Sequence, residues 1–240
     1  MTDDKPAPPL LLPGLLCDAR IWAAQVRDLA DYGPIAVPGY GKARSIGEMA
    51  ARALEVAPPR VSVVGHSMGA RVALEIVRIA PERVERLALL DTGIHLPKPG
   101  EAEKRHALLA LGRQEGMERL VDAWLPPMVL AERRSDRALM DPLRAMCLDD
   151  GIDLFEAQIT ALLGRPDVTE LLPTIQCPTL VGVGRQDEWS PVEQHEAIAA
   201  AIPSAELVIF ENCGHMSPVE APDQVSAALR RWLAREPAYV

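Results

Sequence analysis

Residues 61–69 of the chain read VSVVGHSMG, and this stretch decides the fold. Its first four residues are apolar or small, which is typical of a short buried β-strand. The following residues, from about 68 to 80, have the pattern of a helix that ends before a proline. A sharp turn from strand to helix forces Ser67 into a strained backbone conformation. The glycines two residues to either side keep side chains out of that turn.

The turn is expected to lift the Ser67 hydroxyl above the edge of a sheet, at the start of a helix. There the free N–H groups and the helix dipole favour negative charge that develops on a substrate oxygen. A G-x-S-x-G motif alone is a weak signal, since glycine and serine are common. Its position between an apolar strand and a helix makes Ser67 a candidate nucleophile.

Five more short apolar runs alternate with helical patterns, at residues 10–12, 35–37, 87–90, 179–183 and 207–210. Because these runs are apolar throughout, they are typical of parallel strands buried on both faces. Strands that alternate with helices predict right-handed crossovers between neighbouring parallel strands. The sequence therefore predicts an α/β fold with a mostly parallel sheet of about six strands.

Residues 96–173 interrupt this alternation, because they contain helical patterns but no convincing strand. Two apolar stripes have helical spacing: Met117, Leu120, Val121 and Trp124, and then Phe155, Ile159 and Leu162. Between them, Asp141-Pro142 predicts another helix start. An insertion of this size at the carboxyl end of a strand overhangs the crevice where α/β sheets bind ligands. We therefore predict a helical cap at 96–173 and a core formed by 1–95 and 174–240.

A serine hydroxyl becomes a nucleophile only beside a base that is oriented by a third group. His215 follows the last predicted strand, and Asp187 follows the strand before it. The chain order Ser67, Asp187, His215 is the order expected of a nucleophile-elbow triad. Asp91 also ends a predicted strand, so it stays open as an alternative acid.

With these motifs the chain resembles the α/β-hydrolase fold superfamily over nearly its whole length. The resemblance is closest to its branch of small serine esterases and enol-lactonases, in which a helical cap lies between the sixth and seventh strands. It implies an α/β-hydrolase sandwich with the cap inserted after the sixth family strand. It also implies that the first two family strands are missing from residues 1–9.

The resemblance also implies roles for the candidate residues. Ser67 would be the nucleophile, His215 the general base and Asp187 the acid that orients it, because the acid more commonly follows the seventh family strand. The oxyanion hole would consist of the backbone N–H groups of Leu15 and Met68. The sequence departs from the family here, because Pro-Gly precedes Leu15 where many relatives have His-Gly.

Four large side chains are candidates for the wall of an apolar substrate pocket: Trp124, Met128, Phe155 and Trp189. Three arginines of the cap are in reach of a substrate carboxylate, although a solvated helix face is the preferred interpretation: Arg133, Arg134 and Arg137. Among the histidines outside the predicted triad, His66 is expected to have a structural role. The others are expected at the surface: His95, His106 and His195. We expect Cys17 and Cys213 to be buried small hydrophobes.

The composition excludes several classes of protein. The 240 residues include 25 Lys and Arg against 34 Asp and Glu, a net charge of −9, which argues against a nucleic-acid-binding protein. No apolar run is long enough for a transmembrane helix, and residues 1–6 do not resemble a secretory signal. No His or Cys spacing suggests a metal site. The expectation is a cytoplasmic protein that needs no cofactor or metal, binds no membrane, and has an oligomeric state that the sequence leaves open.

The predicted function is that of a serine hydrolase that cleaves a small carboxylic ester, thioester or lactone through an acyl-enzyme. Acyl transfer to another acceptor and hydrolysis of a carbon–carbon bond use the same three residues, so both remain alternatives. A third alternative is a member of the fold that binds a small ligand without catalysis. The expected partner in every case is a small molecule.

Overall fold

Five parallel strands form the sheet in the computed structural model, which describes residues 5–203 and 205–236. Side by side, they are β1 (Pro9–Leu12), β2 (Val61–His66), β3 (Val84–Leu90), β4 (Thr179–Gly184) and β5 (Ala205–Phe210). Every neighbouring pair is parallel, so all five carboxyl ends lie at one edge of the sheet. The predicted α/β class with a parallel sheet is confirmed.

The run at 35–37 contributes one parallel bridge, between Ala36 and Leu10, instead of the expected strand. The N–H of Leu11 donates to the Ala36 carbonyl at 2.9 Å, and the Ala36 N–H donates to the Pro9 carbonyl at 3.1 Å. Prolines at positions 34 and 38 flank this run and have no N–H to donate, so the ladder does not extend. The sheet therefore has five strands and a bridge, close to the predicted six.

Nine α-helices connect and cover the strands within the described residues. They are α1 (Ala23–Asp28), α2 (Ile46–Val56), α3 (Met68–Ile79), α4 (Glu101–Glu115), α5 (Met117–Trp124), α6 (Arg137–Leu163), α7 (Val192–Ala201), α8 (Ser217–Glu220) and α9 (Pro222–Leu233). Short 3-10 turns lie at Ala19–Trp22, Ala30–Tyr32, Pro81–Arg83, Pro126–Met128, Ala131–Arg133 and Leu172–Thr174. No helix of the described part of the chain has both the length and the apolar character needed to cross a membrane.

Helices α4, α5 and α6 follow one another between β3 and β4, in the segment predicted as a cap. Their two predicted apolar stripes are buried, apart from the half-buried Met117. Helix α6 begins at Arg137 and not at Asp141, because Asp136 accepts hydrogen bonds from two N–H groups of its first turn. The division into core and cap at 96 and 173 remains a prediction, and residues 1–4 and 237–240 of the predicted core lie outside the described residues.

Candidate active site

Ser67 lies between β2 and α3 with φ 54° and ψ −115°, a conformation that non-glycine residues rarely adopt. Its N–H donates to the carbonyl of Leu90 at 2.8 Å, and its own carbonyl accepts from the Thr92 hydroxyl at 3.0 Å. The end of β3 therefore holds the strained turn from both sides. The strain predicted from the G-x-S-x-G motif is present at Ser67.

The two glycines of the motif are required by close backbone contacts. A Cβ atom on Gly65 would lie 2.4 Å from the Cα of Ala70, and one on Gly69 would lie 2.1 Å from the carbonyl oxygen of Leu12. Real Cβ atoms do not approach other atoms so closely. The glycines therefore let helix α3 pack directly against β2 and the end of β1.

We expect Gly69→Ala to destabilise the fold by about 3 kcal/mol or more, because the new methyl group must displace backbone at the end of β1. Gly39→Ala is the matched control, since its Cβ would meet no atom within 4 Å. It should change the unfolding free energy by less than about 0.5 kcal/mol. Urea unfolding of both variants measures the difference, and equal stabilities would contradict the packing argument.

Ser67, His215 and Asp187 form one continuous chain of hydrogen bonds. The His215 Nε2 lies 2.9 Å from the Ser67 Oγ, and its Nδ1 lies 2.8 Å from Asp187 Oδ2. The second carboxylate oxygen of Asp187 accepts the N–H groups of Trp189 and Ser190, both at 2.8 Å. With Nδ1 protonated toward Asp187, Nε2 is free to accept the Ser67 proton. The structure thus brings together the three residues named from the sequence.

Asp91 and Asp187 are both buried at strand ends, but their surroundings push their pKa values in opposite directions. Burial opposes ionisation of Asp187, yet His215 and the Ser190 N–H outweigh it and lower the pKa below its ordinary value. Burial, followed by the negative charge of Asp187, raises the pKa of Asp91 well above its ordinary value. Asp91 makes its hydrogen bonds with the Gly184 N–H and the Ser217 hydroxyl. The two carboxyl groups therefore have pKa shifts of opposite direction.

The loop that carries His215 is held by a buried carboxylate of α8. Glu220 accepts the N–H groups of Gly214 and Met216 on one oxygen and the N–H of Leu130 on the other. The His215 N–H donates to the Met128 carbonyl at 2.9 Å, which ties the loop to the helical segment. Burial disfavours charge on His215, but the Asp187 carboxylate prevails and raises the pKa of this histidine above 6.5.

His66 and His195 are buried in neutral form, and both support the site from outside the hydrogen-bond chain. The His66 Nε2 lies 2.8 Å from the His215 carbonyl oxygen, and burial lowers its pKa to about 3. The expectation that His195 lies at the surface is wrong, because this side chain is fully buried. Its Nε2 accepts the Thr92 N–H at 2.8 Å, and burial lowers its pKa to about 4. His95 is half-buried, and His106 is exposed as expected.

The turn after β1 places Leu15 in the wall of the cavity beside Ser67, and Met68, which also lines the cavity, lies at the first position of α3. Neither N–H group has an acceptor among the residues that the structure describes. Gln158 of α6 accepts the N–H of Leu16 at 2.9 Å, and the Tyr40 hydroxyl donates to the Pro13 carbonyl at 3.0 Å. Two residues whose N–H groups have no acceptor among the described residues thus line the same cavity as Ser67.

A cavity of about 390 Å³ opens in front of Ser67 and His215. The four predicted pocket residues all line it: Trp124, Met128, Phe155 and Trp189. The first three are buried, whereas Trp189 is 49% exposed and lies where solvent reaches the wall. Leu15, Leu108 and Leu162 add further apolar surface. The arrangement suits a small apolar group next to a reactive carbonyl.

The three arginines considered for a substrate carboxylate do not line this cavity. Arg133 donates to the Glu220 carbonyl, Arg134 to the Val129 carbonyl, and Arg137 pairs with Asp141 on the surface of α6. The preferred interpretation of them as structural or solvated residues therefore holds. Cys17 and Cys213 are buried as expected, and burial raises the pKa of both thiols.

Sequence patterns missed the residues that support the site from a distance. Glu220, Gln158 and His195 act through contacts with residues between 4 and 142 positions away in the chain. The only available signal was local: the pair Glu220 and Pro222 marks a short helix end just after His215. No motif predicts which loop N–H groups these side chains accept.

Comparison with known proteins adds a family to this geometry. The model of the alpha/beta hydrolase family matches residues 10–228. A 2-hydroxy-6-oxononadienedioate/2-hydroxy-6-oxononatrienedioate hydrolase from Pseudomonas sp. is 29% identical over 185 residues, which are 73% of this chain and 64% of that relative. Its counterpart from Cupriavidus pinatubonensis is 31% identical over 206 residues, 76% of this chain and 69% of that relative.

Solved structures have the same architecture over nearly the whole chain. A thermophilic esterase from Thermogutta terrifontis superposes with a TM-score of 0.85 at 29% identity, and the match covers 95% of this chain and 90% of the esterase. The enol-lactonase from Burkholderia xenovorans LB400 gives a TM-score of 0.82 at 22% identity, with 98% and 94% coverage. At that lower identity the likeness is one of fold.

Proposed function

Because the chain belongs to the alpha/beta hydrolase family of enzymes, we propose that it is a serine hydrolase of small carboxylic esters, thioesters or lactones. In this proposal Ser67 is the nucleophile, His215 the general base and Asp187 the acid that orients the base. One observation carries it: the hydrogen-bond chain from Ser67 Oγ through both nitrogens of His215 to the Asp187 carboxylate. The cavity in front of Ser67 supplies room for a small-molecule substrate.

In the first half of the reaction, Ser67 Oγ attacks the substrate carbonyl carbon while its proton passes to His215 Nε2. Asp187 stabilises the imidazolium that forms. The tetrahedral intermediate then expels its alcohol, thiol or lactone oxygen, which takes the proton from His215. An acyl group remains on Ser67, and no cofactor or metal takes part in this scheme.

In the second half, His215 takes a proton from water as the water oxygen attacks the acyl carbon. The bond between that carbon and Ser67 Oγ then breaks, Oγ takes the proton back from His215, and the carboxylic acid is released. The negative charge on the carbonyl oxygen in both halves would be stabilised by the N–H groups of Leu15 and Met68. Each such donor contributes about 3–4 kcal/mol of transition-state stabilisation in comparable sites. The absence of protein acceptors for these two groups within the described residues is consistent with that role.

Hydrolysis of a carbon–carbon bond is the second candidate function, and the names of two relatives favour it. Both relatives are named as hydrolases of 2-hydroxy-6-oxo dioates, and such reactions use a similar set of residues. Acyl transfer and ligand binding without catalysis remain further alternatives, but no observation on this chain favours either over ester hydrolysis.

A substrate panel separates these functions. We expect p-nitrophenyl esters from acetyl to decanoyl to be hydrolysed with an initial burst of p-nitrophenol, and short acyl chains to be preferred because the cavity is small. Simple lactones and a 2-hydroxy-6-oxodienoate complete the panel. Turnover of the dienoate with inert esters would favour the carbon–carbon hydrolase, and binding without turnover of any compound would favour a ligand-binding protein.

The rate of ester hydrolysis is expected to rise with pH through a single ionisation above 6.5. Only neutral His215 accepts the Ser67 proton. Asp187 raises the pKa of His215, so the rate should rise at a higher pH than an ordinary histidine would give. His66 and His195 have lowered pKa values and stay neutral in this range. The measurement is kcat/KM from pH 5 to 9 with an ester whose acylation limits the rate. A flat profile would remove His215 from the role of base.

A further inference from the structure

The wall of the active-site cavity is cationic, although the chain as a whole carries a net charge of −9. Five of the lining side chains are basic: Arg71, Lys98, Lys104, Arg105 and Arg165. Only two lining side chains are acidic: Glu101 and Glu188. A concave surface of one sign concentrates ligands of the opposite sign. An acidic protein therefore presents a positive wall at this cavity.

Two of the arginines share one carboxylate as their ion-pair partner. Arg165 donates from both terminal nitrogens to the two oxygens of Glu101 at 2.7 Å each, and the Arg105 Nε donates to the same carboxylate at 2.9 Å. Burial opposes the charge of Glu101, but these arginines prevail and lower its pKa to about 2. Arg165 also donates to the carbonyls of His95 and Leu162. This cluster ties the start of α4 to the end of α6 and has little capacity for a ligand.

Arg71 is different, because it has a charge without a counter-ion. Its guanidinium makes one hydrogen bond, from a terminal nitrogen to the His95 carbonyl at 3.2 Å. No carboxylate of the described residues lies within ion-pair distance of it. Burial, and then the nearby Arg165, lower its pKa to about 9, so it stays a cation at neutral pH. A guanidinium has five N–H donors, and a partly buried one without an anion is unfavourable.

The position of Arg71 in the helix relates this charge to the reacting carbonyl. Arg71 lies three residues after Met68 in α3, so these two side chains are neighbours on the helix surface. Ser67 immediately precedes α3, and Arg71 lies in the first turn of that helix. All three side chains line the one cavity. An anion held by Arg71 therefore lies in the same cavity as a carbonyl at Ser67.

We propose that Arg71 binds a free carboxylate of the substrate, so that the natural substrate is an ester, thioester or lactone that carries a second, ionised carboxyl group. This inference rests on the proposed function of Ser67. A planar guanidinium matches a carboxylate with two parallel hydrogen bonds, and one unpaired cation balances one negative charge. The apolar side chains Trp124, Met128 and Phe155 accommodate the short hydrocarbon chain that joins the two groups.

The test compares two esters that differ by one methyl group: mono-p-nitrophenyl adipate, which has a free carboxylate, and p-nitrophenyl methyl adipate, which is neutral. We expect the wild-type enzyme to prefer the anionic ester in kcat/KM by about 10- to 100-fold. In Arg71→Gln this preference is expected to fall by about the same factor, chiefly through KM, because the contact is made equally in the ground and transition states. Arg71→Lys keeps the charge but loses the paired geometry, and should retain part of the preference.

Lys104→Gln is the matched control, because it removes the same charge from an exposed position on the same wall. If Arg71 contacts the substrate carboxylate directly, Lys104→Gln should lower the preference for the anionic ester by less than about 3-fold, as expected for a screened surface charge. Equal losses in the two variants, or no preference in the wild-type enzyme while it hydrolyses the neutral ester, would overturn the carboxylate site and leave the proposed function intact.

Binding of adipate itself, measured by isothermal titration calorimetry, tests the site without turnover. Adipate is the product of the anionic ester. We expect it to bind the wild-type enzyme at least 10-fold more tightly than Arg71→Gln. If neither ester is hydrolysed, the proposed function fails, and this comparison still decides the carboxylate site: equal affinities overturn it, and a 10-fold difference supports it.

Discussion

Ser67→Ala is expected to lower kcat for ester hydrolysis by about 10³-fold or more, while the protein remains folded. The hydroxyl supplies the only atom that forms a covalent bond to the substrate in the proposed mechanism, so its removal leaves only binding and oxyanion stabilisation. Ser67 is incompletely buried, and its Oγ has one partner, His215 Nε2. Alanine at φ 54° adds no bulk, so we expect a change of less than about 1 kcal/mol in unfolding free energy.

Steady-state kinetics and urea unfolding of Ser67→Ala measure the two effects separately. A fluorophosphonate probe, which forms a covalent bond to an activated serine, should label the wild-type protein at Ser67 and leave the variant unlabelled. Near-full activity in a folded Ser67→Ala, or equal labelling of the variant, would rule out Ser67 as the nucleophile.

Asp187→Asn is expected to lower kcat by about 10²- to 10⁴-fold. An asparagine oriented toward His215 presents either an acceptor without charge or an N–H that forces the wrong tautomer. The imidazolium that forms during acylation then loses its counter-ion at 2.8 Å. The pKa of His215 should also fall, because the carboxylate that raises it is gone.

Asp91→Asn is the matched control, and we expect it to cost less than about 10-fold. Burial and then the charge of Asp187 raise the pKa of Asp91, and an amide is a neutral replacement of nearly the same size. Its oxygen can still accept the Gly184 N–H, and its nitrogen can donate to the Ser217 hydroxyl, which itself donates to Asp91 in the wild-type protein. Kinetics of both variants with one ester decide between the acids. A larger loss in Asp91→Asn than in Asp187→Asn would transfer the orienting role to Asp91.

The opposite pKa shifts of Asp91 and Asp187 also explain how one buried site can hold both carboxyl groups. Two ionised carboxylates close together repel each other, so the pKa of one of them is raised. The N–H groups of Trp189 and Ser190 and the His215 ring favour charge on Asp187. At Asp91, burial and then the charge of Asp187 outweigh the hydrogen bonds from a serine hydroxyl and a single backbone N–H, so the pKa of Asp91 is raised. The surrounding donors, and not the residue type, assign the two roles.

The sheet and the strained turn could be predicted because their causes are local. A run of consecutive apolar residues is enough to specify a buried parallel strand, and four of the runs outside β2 became β1, β3, β4 and β5. The glycines around Ser67 are required by contacts within a strand–turn–helix unit and with the strand beside it. The absence of a strand at 35–37 has a local cause too, since the prolines at 34 and 38 flank this run and have no N–H to donate.

The burial of His195 and the start of α6 were mispredicted because composition and spacing do not report tertiary partners. His195 has helical neighbours that look surface-exposed, yet the packing of α7 against the sheet places its ring beneath Thr92. Pro142 resembles a first helical residue, but Asp136 five positions earlier than Asp141 satisfies the free N–H groups and begins the helix there. In each case one hydrogen-bond partner decides which of two possible local structures forms.

The sequence alone predicts the fold class and the position of Ser67 on a turn. It also predicts the order of strand ends that brings an acid and a histidine to one edge of the sheet. These depend on neighbours in the chain and on the rule that parallel strands share a carboxyl edge. Only the tertiary structure decided that Asp187 and not Asp91 reaches His215, and that Arg71 keeps an unpaired charge while Arg165 does not. Those distinctions depend on the direction of side chains and on burial among residues that are far apart in the sequence. The ionisation of a side chain is determined by the groups within a few ångströms of it, and not by its neighbours along the chain.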